Sequence, residues 1–348
     1  MGVCAAKGEK NMKQKVIIDP YGRRMEDVFS PADRERLHSL ADVIWAKNEP
    51  MPDEEIAKVA SEVVAIVSGH WHHGDFARFP KLTAFLEVGG GHPSPAQFDY
   101  KSAFARSIRV LSCAPAFAPT VAEMALGLAL ASAREIAWTD GGFRAADREP
   151  NWSHSDLGTT FSLFDKPVGF IGFGSLARCL KPLVEPFRGP IQVYDPWLTD
   201  TYLRTQGVTP VDLDTLLKTS RFIYVLAVPT SANKHFLNRE KLEMIRPDAV
   251  LLLMSRAHVV DFDAMTELLA RNRFRAGIDV FPEEPLAKDH PLRKLSNVVL
   301  SSHRAGAIRE GIHNIGTLVV NDLEAIVAGK VPQQLQAAQP EFIRLRGD

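Results

Sequence analysis

A chain of 348 residues is too long for one ordinary hydrophobic core and comfortable for two domains. With 45% hydrophobic and 24% charged residues it has the balance of a water-soluble globular protein, and a formal net charge of −1 gives no electrostatic reason to expect nucleic acid or an anionic membrane as partner. No apolar run is read as approaching the ~18–20 residues that span a bilayer. Residues 1–11, MGVCAAKGEKN, lack the apolar core of a secretory signal and read as a lead before ordered sequence from Met12. Cys4, Cys113 and Cys179 are scattered without metal spacing; they read as reduced thiols and fit a cytoplasmic compartment.

In chain order the first half alternates strand-like apolar runs (15–19, 62–67, 82–88, 107–112) with charged helical stretches at 31–40 and 52–61. Short buried strands between amphipathic helices predict a parallel sheet with crossover helices. One long Ala-rich helix is predicted over 119–139, then a polar stretch over 140–160. A second α/β series follows, with strands at 167–174, 190–195, 221–228, 249–255, 274–280 and 297–303. Their nearly continuous apolar character suits a sheet covered on both faces. A last helix, roughly 305–328, is free to return to the first domain and make it discontinuous.

The segment 168–178, VGFIGFGSLAR, runs from a strand through Gly172-x-Gly174-x-x-Ala177 into a helix. The first glycine permits the tight turn, and the second lets a pyrophosphate reach N–H groups at the helix N-terminus. Ala177 is small enough for helix and strand to touch. The next strand ends at Asp195, 21 residues after Gly174. A carboxylate there accepts both ribose hydroxyls of NAD and repels the phosphate of NADP, so NAD is the expected cofactor. The ends of three later strands offer Arg256, then Asp279, Glu283 and Glu284, then His303. In an open parallel sheet such ends face the ligand crevice. Reducing a 2-keto acid needs a cation for the carboxylate, an acid for the carbonyl oxygen and a carboxylate to hold that acid; Arg256, His303 and Glu284 are the apt residues.

These linked motifs resemble the D-isomer-specific 2-hydroxyacid dehydrogenases, over roughly 82–328 and most strongly over 168–306. The resemblance implies a catalytic triad of Arg256, Glu284 and His303. It implies cofactor contacts from Gly172, Gly174, Ser175, Leu176, Asp195, Val228, Pro229, Met254, Ser255, Arg256, Asp279, His303 and Gly306. It also implies a Rossmann-type NAD-binding domain (119–302) inserted in a smaller flavodoxin-like substrate domain (12–118 and 303–348), a cleft closing between them, and a homodimer with 119–139 in its interface. Gly89, Gly90 and Gly91 match the loop whose N–H groups meet the substrate carboxylate together with Arg256, although GHPSPAQFD (91–99) departs from the family's usual ending.

Ala257 and His258 replace the glycines that usually follow the Arg, and Ser302 the Pro that usually precedes the His. Arg304 offers a second cation for the anion. In SGHWHHGD (68–75) the residues His70, Trp71, His72 and His73 look at first like a metal tract. No third carboxylate ligand is evident at a fixed spacing, so no metal is expected; one imidazole and Trp71 are expected at the cleft mouth. Two rival readings remain: formate or phosphite oxidation, in which the family pairs the His with Gln, and an NADH-responsive binding protein of the same fold. The expected partner is a small 2-keto or 2-hydroxy acid.

Overall fold

The computed structural model describes residues 13–145 and 159–345. The lead before Met12, Cys4 and most of the stretch 140–160 lie outside the described residues. The chain divides into two compact units: one runs to Ala116 and resumes over Ile312–Arg344, and the other is Phe117–Gly311.

In the first unit β1 (Lys15–Asp19), β2 (Asp42–Trp45), β3 (Val63–Ser68), β4 (Ala84–Glu87) and β5 (Arg109–Ser112) pair in parallel in the order β2-β1-β3-β4-β5. This is the flavodoxin-like order, reversing direction between β1 and β3. Val16, Ile17 and Ile18 are fully buried at the centre of the sheet. The Pro31–Leu40 helix starts at a reciprocal cap in which Ser30 Oγ accepts from the Asp33 N–H and the Asp33 carboxylate accepts from the Ser30 N–H. β2 escaped the sequence reading because it is a short, half-exposed edge.

The second unit holds β6 (Val168–Ile171), β7 (Ile191–Tyr194), β8 (Thr209–Pro210), β9 (Phe222–Val225), β10 (Val250–Leu253), β11 (Arg275–Ile278) and β12 (Val298–Leu300). All are parallel, in the order β12-β11-β10-β9-β6-β7-β8, a Rossmann-type sheet with its switch point between β6 and β9. The four side chains of β10 are fully buried, which at roughly 1.5–3 kcal/mol each makes this strand a major stabilising element.

The single helix expected over 119–139 is two, Ala118–Ala133 and Ile136–Ala145, broken at Glu135 with φ 55°. Arg275 caps the break: it donates to the carbonyls of Ser132 and Ala133 and to the Glu135 carboxylate. Ala114–Ala133 is long and apolar enough to cross a bilayer by length and composition, contrary to the sequence reading. Here its Ala122, Ala125, Ala129 and Ala133 face is buried in the core of the second unit.

The return to the first unit, expected at 303, falls at 312, inside the Arg309–Val327 helix. The reason is Asp279, whose carboxylate ties the segment 301–305 to the end of β11. A short β13 (Gln336–Ala337) then adds antiparallel to β5 and closes that edge of the first sheet.

Candidate active site

In the second unit the turn after β6 has the geometry that its glycines imply. Gly172 lies at φ 93°, and a Cβ there would come within 2.9 Å of Ala227 backbone atoms. Gly174 precedes the Ser175–Val184 helix, and a Cβ on it would meet nothing within 4 Å. No side chain caps that helix start, so none of its first N–H groups, at Ser175 and Leu176 among them, is claimed by a capping side chain. Ala177 is fully buried beneath. Asp195 follows β7 and accepts from the Phe173 N–H at 2.8 Å and the Trp197 N–H at 2.9 Å, which fixes its carboxylate against the glycine turn.

Across the switch point, Val228 and Pro229 follow β9, with Val228 half exposed. His258 Nε2 lies 2.9 Å from the Thr230 carbonyl and joins the loops after β9 and β10. Met254 is buried, and Ser255 Oγ is buried without a hydrogen-bond partner among the described residues. An orphaned hydroxyl just after β10 fits a polar ligand there. Gly306 instead lies against Phe117, where a Cβ would come within 2.9 Å of the ring.

At the strand ends two residues of the expected triad, His303 and Glu284, are in contact, while Arg256 reaches Glu284 only through its charge. His303 Nδ1 and Glu284 Oε2 are 2.6 Å apart, and Glu284 Oε1 accepts from the Phe281 N–H at 3.1 Å. Burial pushes the Glu284 carboxyl up, but the His303 hydrogen bond, the Phe281 N–H and the charges of His303 and Arg256 outweigh it, holding Glu284 below its ordinary range. Arg256 is exposed, with Nη1 donating to the Ser255 carbonyl at 2.8 Å.

His303 has a left-handed backbone, φ 54°. Asp279, expected as a cofactor contact, is the buried anchor of that conformation. It accepts from Ser301 Oγ at 2.5 Å, the Arg304 N–H at 3.0 Å and the Ala305 N–H at 3.2 Å. The Arg304 guanidinium is exposed and has no partner among the described residues. A cavity of about 800 Å³ lined by Glu135, Trp138, Arg221 and Arg275 opens at the other, N-terminal ends of these strands, away from the triad.

In the first unit the glycine loop departs from expectation. The N–H groups of Gly89, Gly90 and Gly91 all donate to the carboxylate of Glu87, at 2.5, 3.1 and 3.0 Å. An internal carboxylate therefore occupies the donors assigned to the substrate. Burial raises Glu87 to about 7, only partly offset by those three N–H groups and the Arg23 charge. Arg23 clamps the same loop through the carbonyls of Val88 and Gly89. Trp71, expected at a cleft mouth, packs among Phe76, Phe85 and Phe98 in the first unit's core. Sequence reading passed over Glu87, although its signal was present: one acid at the end of an apolar strand.

An open parallel sheet with a glycine turn at its switch point and a carboxylate closing the next strand is the arrangement of a dinucleotide-binding domain. The family described as "D-isomer specific 2-hydroxyacid dehydrogenase, NAD binding domain" matches residues 126–305. A glyoxylate reductase from Thermofilum pendens is 31% identical over 76% of this chain and 77% of its own. A D-3-phosphoglycerate dehydrogenase from Mycobacterium bovis is 29% identical over 87% of this chain and 56% of its own. The crystal structure of a phosphoglycerate oxidoreductase from Rhizobium etli superposes with a TM-score of 0.83 at 31% identity, covering 95% of this chain and 99% of that one. The chain belongs to the D-isomer-specific 2-hydroxyacid dehydrogenase family and is an NAD-dependent enzyme of it.

Proposed function

We propose that the protein reduces a short 2-keto acid of the glyoxylate class to the corresponding 2-hydroxy acid, as a D isomer where the product is chiral. The observation that carries this reading is the 2.6 Å bond between His303 and Glu284, with the Arg256 charge acting on the same carboxylate. Arg256 binds the substrate carboxylate through its two-pronged guanidinium, with Arg304 a second cation for the anion. His303 is the general acid. Its Nδ1 is engaged by Glu284, and its Nε2 has no partner among the described residues and delivers the proton to the carbonyl oxygen. Glu284 fixes the ring's tautomer and direction, and Asp279 holds the backbone that carries it. NAD, when bound as NADH, supplies the hydride. The Gly172–Gly174 turn and the N-terminus of the Ser175–Val184 helix would hold its pyrophosphate, and Asp195 its ribose; the carboxylate disfavours a 2′-phosphate.

Glu284 in place of Gln speaks against formate oxidation, and a complete triad against a purely regulatory role. We further assign a homodimer with the helical stretch 119–139 in its interface, supported by the exposed Ile136. A reducing cytoplasmic setting suits the free thiols of Cys113 and Cys179. The test is steady-state turnover of glyoxylate, hydroxypyruvate and pyruvate with NADH and NADPH. Glyoxylate with NADH is expected to give the highest kcat/KM. Arg256→Lys, which keeps charge and loses the fork, is expected to lower kcat/KM by ~10–100-fold, roughly 1.4–2.8 kcal/mol, with NADH affinity nearly unchanged. Turnover near wild type in that variant would remove Arg256 from the carboxylate.

A further inference from the structure

We infer that the first unit carries a binding site for one divalent cation of the zinc class, formed by Asp19, His72 and His73. Asp19 is the last residue of β1, and the two histidines lie in the loop that follows β3. These strands flank the position where the first sheet reverses its order, and a crevice beyond the C-terminal strand ends at such a switch point is where open α/β sheets receive ligands.

The geometry is close to a metal centre. His72 Nε2 is 2.7 Å and His73 Nε2 3.5 Å from Asp19 Oδ2, and one ligand atom from each side chain falls within 4.8 Å of the others. Two ligands of a tetrahedral zinc, each ~2.0–2.1 Å from the ion, stand roughly 3.3 Å apart. His73 is already at that spacing, and His72 reaches it by opening its bond to Asp19 by about half an ångström.

The second observation is a set of buried polar atoms left without a hydrogen bond, His73 Nε2 having only the 3.5 Å contact to Asp19 Oδ2. Asp19 and His73 are both 0% exposed, and Asp19 Oδ1, His73 Nδ1 and His73 Nε2 have no hydrogen-bond partner among the described residues. Such groups cost free energy unless something satisfies them, and a divalent ion satisfies a carboxylate and an imidazole lone pair together. The Met51 N–H donates to the same Asp19 Oδ2 at 3.0 Å and orients the carboxylate. His72, with 28% of its side chain exposed, leaves a way in from solvent. Arg78, a cation close by, donates to the His73 carbonyl and is paired with Asp53.

One carboxylate and two imidazoles, with a fourth position for water, suit zinc and its transition-metal neighbours. Magnesium and calcium call for oxygen-only sets. The ion would join the end of β1 to the loop after β3. No spacing rule could have found it, because the carboxylate arrives from 53 residues upstream of His72 through the pairing of β1 with β3.

The test is calorimetric titration of chelator-treated full-length protein with ZnCl2 and, separately, MgCl2. Expected are one equivalent of zinc per chain, a zinc-dependent rise in Tm and no magnesium binding. His72→Ala, a part-exposed ligand whose loss spares the core, should weaken zinc at least about 100-fold, beyond the ~10–100-fold range of outer-sphere changes. Asp19→Asn should do the same, and His70→Ala should leave affinity unchanged. No stoichiometric zinc binding, or affinity unaltered in His72→Ala with native fold by circular dichroism, would overturn the site; equal loss in His70→Ala would reassign it to surface histidines.

Discussion

Glu284 and Glu87 are two carboxylates that their surroundings push in opposite directions. Glu284 is lowered, so its charge contributes above its unfolded pKa and is lost only as pH falls through the lower folded value. Keto-acid reduction is therefore expected to hold its Glu284-dependent rate down to the ordinary 4.5 and to decline below it. Glu284→Gln removes that charge. Its kcat/KM is expected to drop by ~10–100-fold at neutral pH and to show no acid limb from this position, with the NADH Kd unmoved. A superimposable pH profile for the two proteins would dissociate Glu284 from His303.

Glu87 is raised to about 7, so the sign reverses: its stabilising contribution is complete below the unfolded carboxyl value and disappears as pH rises through 7. Between pH 5 and pH 8 the wild type is expected to lose up to roughly 3 kcal/mol relative to Glu87→Gln, at about 1.4 kcal/mol for each pH unit of the shift. Urea unfolding of both proteins at the two pH values measures it; a constant difference would mean an ordinary carboxyl. Asp19, Glu87, Asp195 and Asp279 all end or immediately follow apolar strands. That placement was legible for the last two. For Glu87 the partners are N–H groups set by the turn's dihedral angles, and for Asp19 they sit on a neighbouring strand's loop, so no linear pattern holds either.

At the scale of elements, the glycine turn is the part whose sequence and geometry correspond most closely. Gly172→Ala would place a methyl group 2.9 Å from the Ala227 backbone at a φ that costs an L residue on the order of 1–3 kcal/mol. NADH affinity, read by fluorescence titration, is expected to fall at least ~10-fold, since every 1.4 kcal/mol is tenfold; unchanged affinity would mean that the loop gives way without disturbing the site. The long buried strands were legible because continuous apolar character survives any neighbour. β2, β8 and β13 were not, since each is a short edge defined only by the strand beside it. The helix break at Glu135 was hidden for the same reason: its cap is Arg275, on β11.

For the whole molecule, the decisive feature is a first unit made from two separated stretches of chain. Buried Asp322 fixes the second stretch, accepting from the N–H groups of Gln333, Gln334 and Leu335 at 2.8, 2.9 and 2.8 Å and so aiming β13 at β5. A chain ending after Gly329 lacks all three donors and β13. Calorimetry is expected to show its first unit melting several degrees earlier while the second keeps its transition; coincident, unshifted melting would deny β13 a part in stability. Time enters here as well. A ribosome delivers β5 long before β13, and every residue of Phe117–Gly311 emerges between them. Through that interval the nascent protein displays β5 as an open pairing edge, a template for any passing strand until its own partner arrives. Synonymous codons that slow translation across 117–311 would lengthen this exposure without altering one atom of the finished enzyme.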